Sequence, residues 1–262
     1  MTTMAFFRRL YEYRDLLLVF VWREFLVRYR QTLLGLVWVL AQPLSMMALF
    51  IFIFSYVLKI KFGSVPPVLF YFSGLVPWLF FSTALNYAIP SLTNHHVLIT
   101  KIYFPYEILP LSGISLAFID YLIHMIFFML LLVLYKVHLT WNVLWYPVLA
   151  LQLLLFTFSI ALFLSGLNVY YRDVKMATGF LIQLWFFASP VMYSIDNLDM
   201  KIKILLFANP LTFIIENMRR CLFEGRGVIM DQMVLVTVFI VLLCWASYKY
   251  FLRIGRAFAD VI

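Results

Sequence analysis

Charge is what this sequence has least of. Only 12% of its 262 residues are Asp, Glu, Lys or Arg, about half of the roughly 25% that an average soluble domain carries. Too little charged surface exists to clothe a water-soluble globule, so that class is excluded. Cysteine is scarce as well. Cys221 and Cys244 stand alone, with no second pair at ligand spacing, so neither a disulfide framework nor a zinc site is indicated and the redox compartment stays unread. The phosphate-cradling G-x-x-x-x-G-K-[ST], the G-x-S-x-G elbow and His-Glu-x-x-His are all missing, and no Asp-rich metal cluster replaces them. Energy-coupled work would therefore need a separate ATPase. The N-terminal stretch does not read as a signal peptide either. Arg8, Arg9 and Arg14 precede a short apolar run, Leu16 to Trp22, but Arg23-Glu24 follows where a small-residue cleavage site would lie.

What the sequence has in abundance is apolar surface. Hydrophobic residues make up 65% of the chain, aromatic ones 19% (28 Phe, 16 Tyr and 7 Trp), and the mean hydropathy is +0.99. Lipid has to solvate that surface. Apolar segments long enough to span a bilayer fall at about 33–58, 67–91, 108–135, 143–169, 176–195 and 230–250. The expected fold is an all-α polytopic membrane protein of six transmembrane helices, forming a single domain over 1–262. A seventh stretch, Ile202 to Ile215, is too short to cross and is broken by Asn209-Pro210. It reads as a re-entrant or interfacial hairpin between the fifth and sixth helices, within a gate region at 196–229. Such backbone is tolerated at membrane depth only where protein or a water-filled cavity covers it.

The formal net charge of +8 is set by where the basic residues fall. With the 196–229 segment set aside, the loops on the side of the termini hold twelve Lys and Arg against three opposite. This bias places both termini in the cytoplasm, and it reads the charge as topological rather than as a nucleic-acid patch. Residues 5–30 differ from a span. At 100° per residue Arg8, Arg9, Glu12, Asp15, Arg23 and Arg30 share one face, while Phe6, Phe7, Leu10, Tyr13, Leu17, Phe20, Val21 and Phe25 share the other. The pattern predicts an interfacial amphipathic helix on the cytoplasmic leaflet. Arg14, Glu24 and Arg28 break the pattern, so that part of the apolar side faces protein or the chain bends.

Polar groups inside spans are the next candidates, because an ionisable residue at membrane depth is costly and needs a partner. Asp120 and His124, spaced i,i+4 on the third span, face the same way and suit a carboxylate–imidazole pair. Two readings stand for it: a proton-sensitive gating pair, or a buried pair that fixes helix packing. Pro43, Pro77, Pro90, Pro110, Pro147, Pro190 and Pro210 lie in or beside apolar segments and act either as hinges or as fixed kinks. Glu216, Arg219 and Arg220 follow the broken segment at helical spacing, either lining an extracytoplasmic exit or forming a solvated turn. Trp141 and Trp145 suit an interfacial belt. Trp38, Trp78 and Trp185 lie deeper, and with Tyr193 they are candidates for ring faces lining a channel, against lipid-facing packing as the default for any single ring.

The run from Trp22 to Pro43, WREFLVRYRQTLLGLVWVLAQP, resembles the approach to the first span in ABC-2-type permeases that export polysaccharides such as O-antigen, capsule and teichoic acid. The loop from Asn94 to Pro105 resembles that family's coupling-helix region, which docks on the ATPase. Asn168-Val169-Tyr170-Tyr171-Arg172-Asp173, Ser189-Pro190-Val191-Met192-Tyr193 and Asn209-Pro210 extend the resemblance over nearly the whole chain.

The resemblance implies a channel subunit that pairs with a second copy of itself and with two ATP-binding cassette subunits. The cargo it implies is a lipid-linked polysaccharide, most often O-antigen, crossing the inner membrane. No cofactor is expected in this chain, since ATP and Mg would be bound by the partner. Arg23, Arg28 and Arg30 suit attraction of a pyrophosphate headgroup, because guanidinium forks match phosphate oxygens, and equally contact with anionic membrane lipid. Leu98, Ile99, Lys101 and Tyr103, in the coupling region 94–104, are the expected ATPase contacts. Asn209, Pro210, Glu216, Arg219 and Arg220 form the expected gate. His95 and His96 are adjacent and point apart on a helix, so no metal site is expected. Teichoic-acid or capsule export is the nearest alternative cargo, and drug or small-lipid efflux is a further one. A membrane-embedded glycosyl- or acyltransferase is the enzyme alternative, although the carboxylate or histidine cluster it needs on loops is lacking.

Overall fold

The computed structural model describes residues 11–30, 35, 37–60, 65–102, 104–195, 198–225 and 227–258. Among them the secondary structure is entirely helical. The elements are α1 (Arg14–Tyr29), α2 (Val37–Phe50, continuing as a π-helix over Ile51–Val57), α3 (Pro67–Ala88), α4 (Ser91–Asn94), α5 (His96–Lys101) and α6 (Ile108–Leu134). They continue with α7 (Tyr146–Tyr170), α8 (Asp173–Phe187), α9 (Met200–Phe207), α10 (Pro210–Arg219, continuing as a π-turn over Arg220–Glu224) and α11 (Met230–Ile254).

Among the described residues five helical stretches are long and apolar enough to cross a membrane: Val37–Val57, Pro67–Ala88, Ile108–Leu134, Trp141–Tyr170 and Met230–Ala257. They coincide with five of the six expected spans. The remaining one, 176–195, is helical only as the 15 residues of α8, about 22 Å at 1.5 Å per residue, against about 30 Å of hydrocarbon. Its early end has a local cause. Pro190 has no N–H for the helix and disfavours the α conformation in Ser189, so the chain turns at Ala188–Val191.

Local chemistry explains the other boundaries. Pro67 starts α3 and Pro147 lies in the first turn of α7, where a missing N–H is harmless. Asn209 caps α10, its side chain accepting from the Leu211 amide at 3.1 Å. Two of these helices, α2 and α6, stop at a lysine in the left-handed region, Lys59 (φ 54°) and Lys136 (φ 51°). At Lys136 the Val137 amide reaches back to Leu132 O at 3.0 Å, the closure that lets a helix end on a left-handed residue.

The core forms where antiparallel α3 and α6 pack together, with α7 against α3 and α11 alongside α7. Phe72 meets Phe127 and Phe128, and Phe80 meets Phe118 and Tyr121. Gly113 lets the two backbones close up, because a Cβ there would lie 3.0 Å from Ala88 N and Tyr87 C. α3 is the sheltered helix, while α2, α8 and α11 keep most of their apolar surface outward. α1 lies along α6 with Phe20 and Tyr29 turned inward, and Leu18, Trp22 and Val27 are exposed. Its described part is therefore apolar on two sides, one covered by protein, so the expected division into one charged and one apolar face does not describe it. Residues 5–10 of that expected helix lie outside the described residues.

Candidate functional site

Three groups of side chains gather the residues that the sequence singles out. The first joins α1 to α6. Asp120 sits about three turns into α6 and is buried. Its two carboxylate oxygens accept from Arg28 Nη1 and from the Tyr29 hydroxyl, the latter at 2.6 Å. Burial first, and then the hydrogen bond to Asp120, push the Tyr29 phenol well above its ordinary value of 10.0, so it stays a donor through neutral pH. One turn on, His124 Nε2 lies 2.8 Å from Val39 O at the start of α2. The expected Asp120–His124 pair is thus not what the structure holds. Each residue takes a partner on another helix, because packed helices offer closer partners than the i+4 neighbour does. Arg28 is committed to Asp120 and lies over the Tyr29 and Tyr87 rings, whereas Arg23 and Arg30 are exposed.

The second group is at the 91–104 loop. Phe20 of α1 packs edge-on to His95 and against Phe104, with ring centroids 5.7 and 6.2 Å apart. Glu24 Oε1 stands 3.5 Å from His95 Nε2, while His95 Nδ1 pairs with Ser91 O at 2.8 Å. The register of α5 then sorts the expected ATPase contacts. Ile99, four residues after His95, turns inward and is 3% exposed. Leu98 is half-buried, and Lys101 is exposed. Tyr103 lies outside the described residues. Val97 and Ile102 are the apolar side chains this loop exposes among those described. Neither was among the residues expected from the sequence: Val97 lies off the His95–Ile99 face, and Ile102 is turned outward because it follows α5 in extended backbone.

The third group is the α8–α10 assembly. The Asn209 side chain accepts from Trp185 Nε1 at 3.0 Å and donates to Ser189 Oγ at 2.9 Å and Ala188 O at 3.3 Å, in addition to capping α10. All its hydrogen-bonding capacity ties the start of α10 to the end of α8. Ten residues on, the buried Arg219 guanidinium donates to Pro190 O, to Val191 O (2.8 Å), to Phe70 O (3.3 Å) and to Ser73 Oγ (3.2 Å). It stacks 3.9 Å above the Phe70 ring and lies 3.9 Å from Glu216. Gly74 makes room for this, since a Cβ there would be 2.5 Å from Arg219 Nη2 and 2.8 Å from Val191 O. Glu216 and Arg219 are therefore not a solvated turn, because the guanidinium is needed by carbonyls that the broken helix cannot satisfy.

The remaining ring candidates differ in access. Trp78 is buried against Phe81 and Phe186, and half-buried Trp185 packs on Phe81 and Phe156. Trp38 is exposed at the first turn of α2, and Tyr193 is half-buried, donating to Phe187 O at 3.2 Å. An apolar recess of about 330 Å³ runs beside Trp185 between α7 and α8, lined by Leu85, Leu164, Leu181 and Ile182 among others.

Comparison with known proteins covers all three groups. The family described as ABC-2 type transporter matches residues 15–223. The chain is 30% identical over 257 residues to the O-antigen export system permease protein RfbA of Myxococcus xanthus, covering 97% of this chain and 98% of that protein. Two proteins of the same name from Klebsiella pneumoniae are 28% and 27% identical over 212 residues, 80% of this chain and 81% of each of them. The matched stretch runs from α1 through Asn209 and Arg219, and the chain belongs to the ABC-2 type transporter family.

Proposed function

We propose that this chain is the channel-forming membrane subunit of an ATP-driven exporter of lipid-linked polysaccharide, with O-antigen as cargo, in the inner membrane. The observation that carries the reading is 30% identity over 97% of the chain to a protein named as an O-antigen export permease. A sequence without a phosphate-binding loop of its own fits that role. In this reading two copies of the chain work with two ATP-binding subunits, which bind ATP and Mg, and both termini are cytoplasmic.

Six crossings require α8 and the turn after it to act together as the fifth. The hairpin of α9 and α10 is then the re-entrant gate. Its tip, Asn209, meets the end of α8, while Arg219 reaches Phe70 near the start of α3, and that supports a segment that dips in and returns. Arg23 and Arg30 are the exposed cations for a headgroup phosphate, and Arg28 is left to Asp120. Val97, Leu98, Lys101 and Ile102 form the ATPase-facing surface. Trp38 and Tyr193 offer rings to glycan, with Trp78 and Trp185 backing that wall.

Deleting the gene tests the reading. Surface polysaccharide should disappear while lipid-linked glycan accumulates on the cytoplasmic leaflet, and a plasmid copy should restore export. Unchanged surface polymers of every class would overturn the exporter reading. Loss of a capsular or teichoic polymer with O-antigen intact would overturn the cargo.

A further inference from the structure

Asp120 and His124 share one face of α6, yet each grips a different helix. Asp120 holds Arg28 and Tyr29, the last turn of α1. His124 holds Val39 O, in the first turn of α2. That carbonyl is free for a reason written in the sequence. Its helical partner would be the amide four residues on, which is Pro43, and proline has no N–H. The His124 ring must therefore donate from Nε2, which fixes the neutral tautomer, and its Nδ1 is buried without a hydrogen-bond partner. The last turn of α1 and the first turn of α2 are thus pinned to two adjacent turns of one helix. The middle of α1 is tied to the 91–104 loop through Phe20, Glu24 and His95.

We propose that Asp120 and His124 are positioning residues for export. They fix the last turn of α1 and the first turn of α2 on α6, so that α1, residues 91–102 and α6 move as one body. A displacement delivered at the loop then reaches the first turn of α2 without slack. The grip is selective in chemistry, because a buried carboxylate requires the Arg28 cation and a proline-freed carbonyl requires a donor. Only the export readout below rests on the exporter reading. The distance readout is independent of cargo, so failure of one is distinguishable from failure of the other.

The test uses the full transporter with its ATP-binding subunits in lipid nanodiscs. Cys221 and Cys244 are replaced by alanine, and nitroxides are placed at the exposed Val27 of α1 and Leu122 of α6, diluted with unlabelled protomers. The separation of the two labels within a protomer should change by less than about 2 Å between nucleotide-free and nucleotide-trapped states, well short of a one-turn ratchet. Asp120→Asn should broaden that distribution and lower export by roughly tenfold, and Asp120→Glu should restore both. His124→Leu should impair export, whereas His124→Gln, which keeps a donor for Val39 O, should not. The histidine pair keeps the proposal falsifiable if Asp120→Asn fails to fold. A separation that differs between the two states by about 5 Å or more, a one-turn ratchet, would overturn it. So would an unbroadened distribution in a folded Asp120→Asn protein, or equal export by the Leu and Gln variants.

Discussion

Replacing Arg219 with methionine removes a buried guanidinium while keeping much of the side-chain volume. Three backbone carbonyls, at Phe70, Pro190 and Val191, and the Ser73 hydroxyl lose a donor, and Glu216 loses the cation 3.9 Å away. A charge-assisted hydrogen bond contributes about 1.5–3 kcal/mol, but the partners do not sum, because the substitution also removes the desolvation cost of the guanidinium. Breaking a buried charged assembly from one side typically costs about 3–5 kcal/mol, and that is the expected loss. At about 2–4 °C per kcal/mol for a chain of this size, the apparent melting temperature in detergent should fall on the order of 10 °C. Arg219→Lys should recover less than half of it, since one ammonium cannot reach donors spread over three elements. Gly74→Ala attacks the same assembly by crowding, at about 1–3 kcal/mol, and some of that clash is with Arg219 itself. In the Arg219→Met background Gly74→Ala should therefore be milder by about 1 kcal/mol. An Arg219→Met protein that melts within about 2 °C of the parent, or strict additivity of the two changes, would refute the reasoning.

Further substitutions test the other groups. Asn209→Ala removes the α10 cap, about 1 kcal/mol, and frees Trp185. It should lower the melting temperature and alter Trp185 emission in a variant whose other tryptophans are replaced, while Ser189→Ala should do so less. Alanine at Val97, Leu98 and Ile102 together should leave the complex assembled but abolish glycan-stimulated ATP hydrolysis, and normal stimulation would count against this docking surface. Ile99→Ala should instead show itself as lost stability of about 2–5 kcal/mol. Arg23→Gln with Arg30→Gln should weaken export without unfolding, and unchanged export sinks the headgroup role. The raised Tyr29 phenol gives a pH prediction. The folded chain holds that proton more tightly than the unfolded one, so the contribution is full below the unfolded value of about 10 and is lost only as pH rises through the folded value. The stability gap between the parent and Tyr29→Phe should stay flat between about pH 7 and pH 9, and a gap closing within that window contradicts the assignment.

The spans were legible because hydropathy is summed over about 20 residues and needs no partner. Asn209, Pro210, Ser189 and Pro190 were legible as breaks, but not as neighbours. Their meeting depends on α8 ending at the same depth at which α10 begins, which no local pattern encodes. The helical periodicity of residues 5–30 recorded a charged face without saying that Tyr29 would find α6 and Phe20 the 91–104 loop. A helix side buried in protein and a side bathed in lipid look alike in sequence.

Asp120 and His124 show where the limit lies. Their cost at membrane depth marked them as paired, and spacing supplied the wrong pair. The informative signal lay elsewhere in the chain, in Pro43. A proline inside a span announces a carbonyl four residues earlier that needs a donor, and a histidine on another span is a donor that needs an acceptor. Matching such deficits and surpluses across helices joins His124 to Val39 from the sequence alone. Pro43→Ala checks this directly. The restored amide gives Val39 O its own helical bond, so the His124→Leu defect in export should be largely suppressed in that background. A defect of full size in the double variant would mean that His124 serves something other than the carbonyl that Pro43 leaves open.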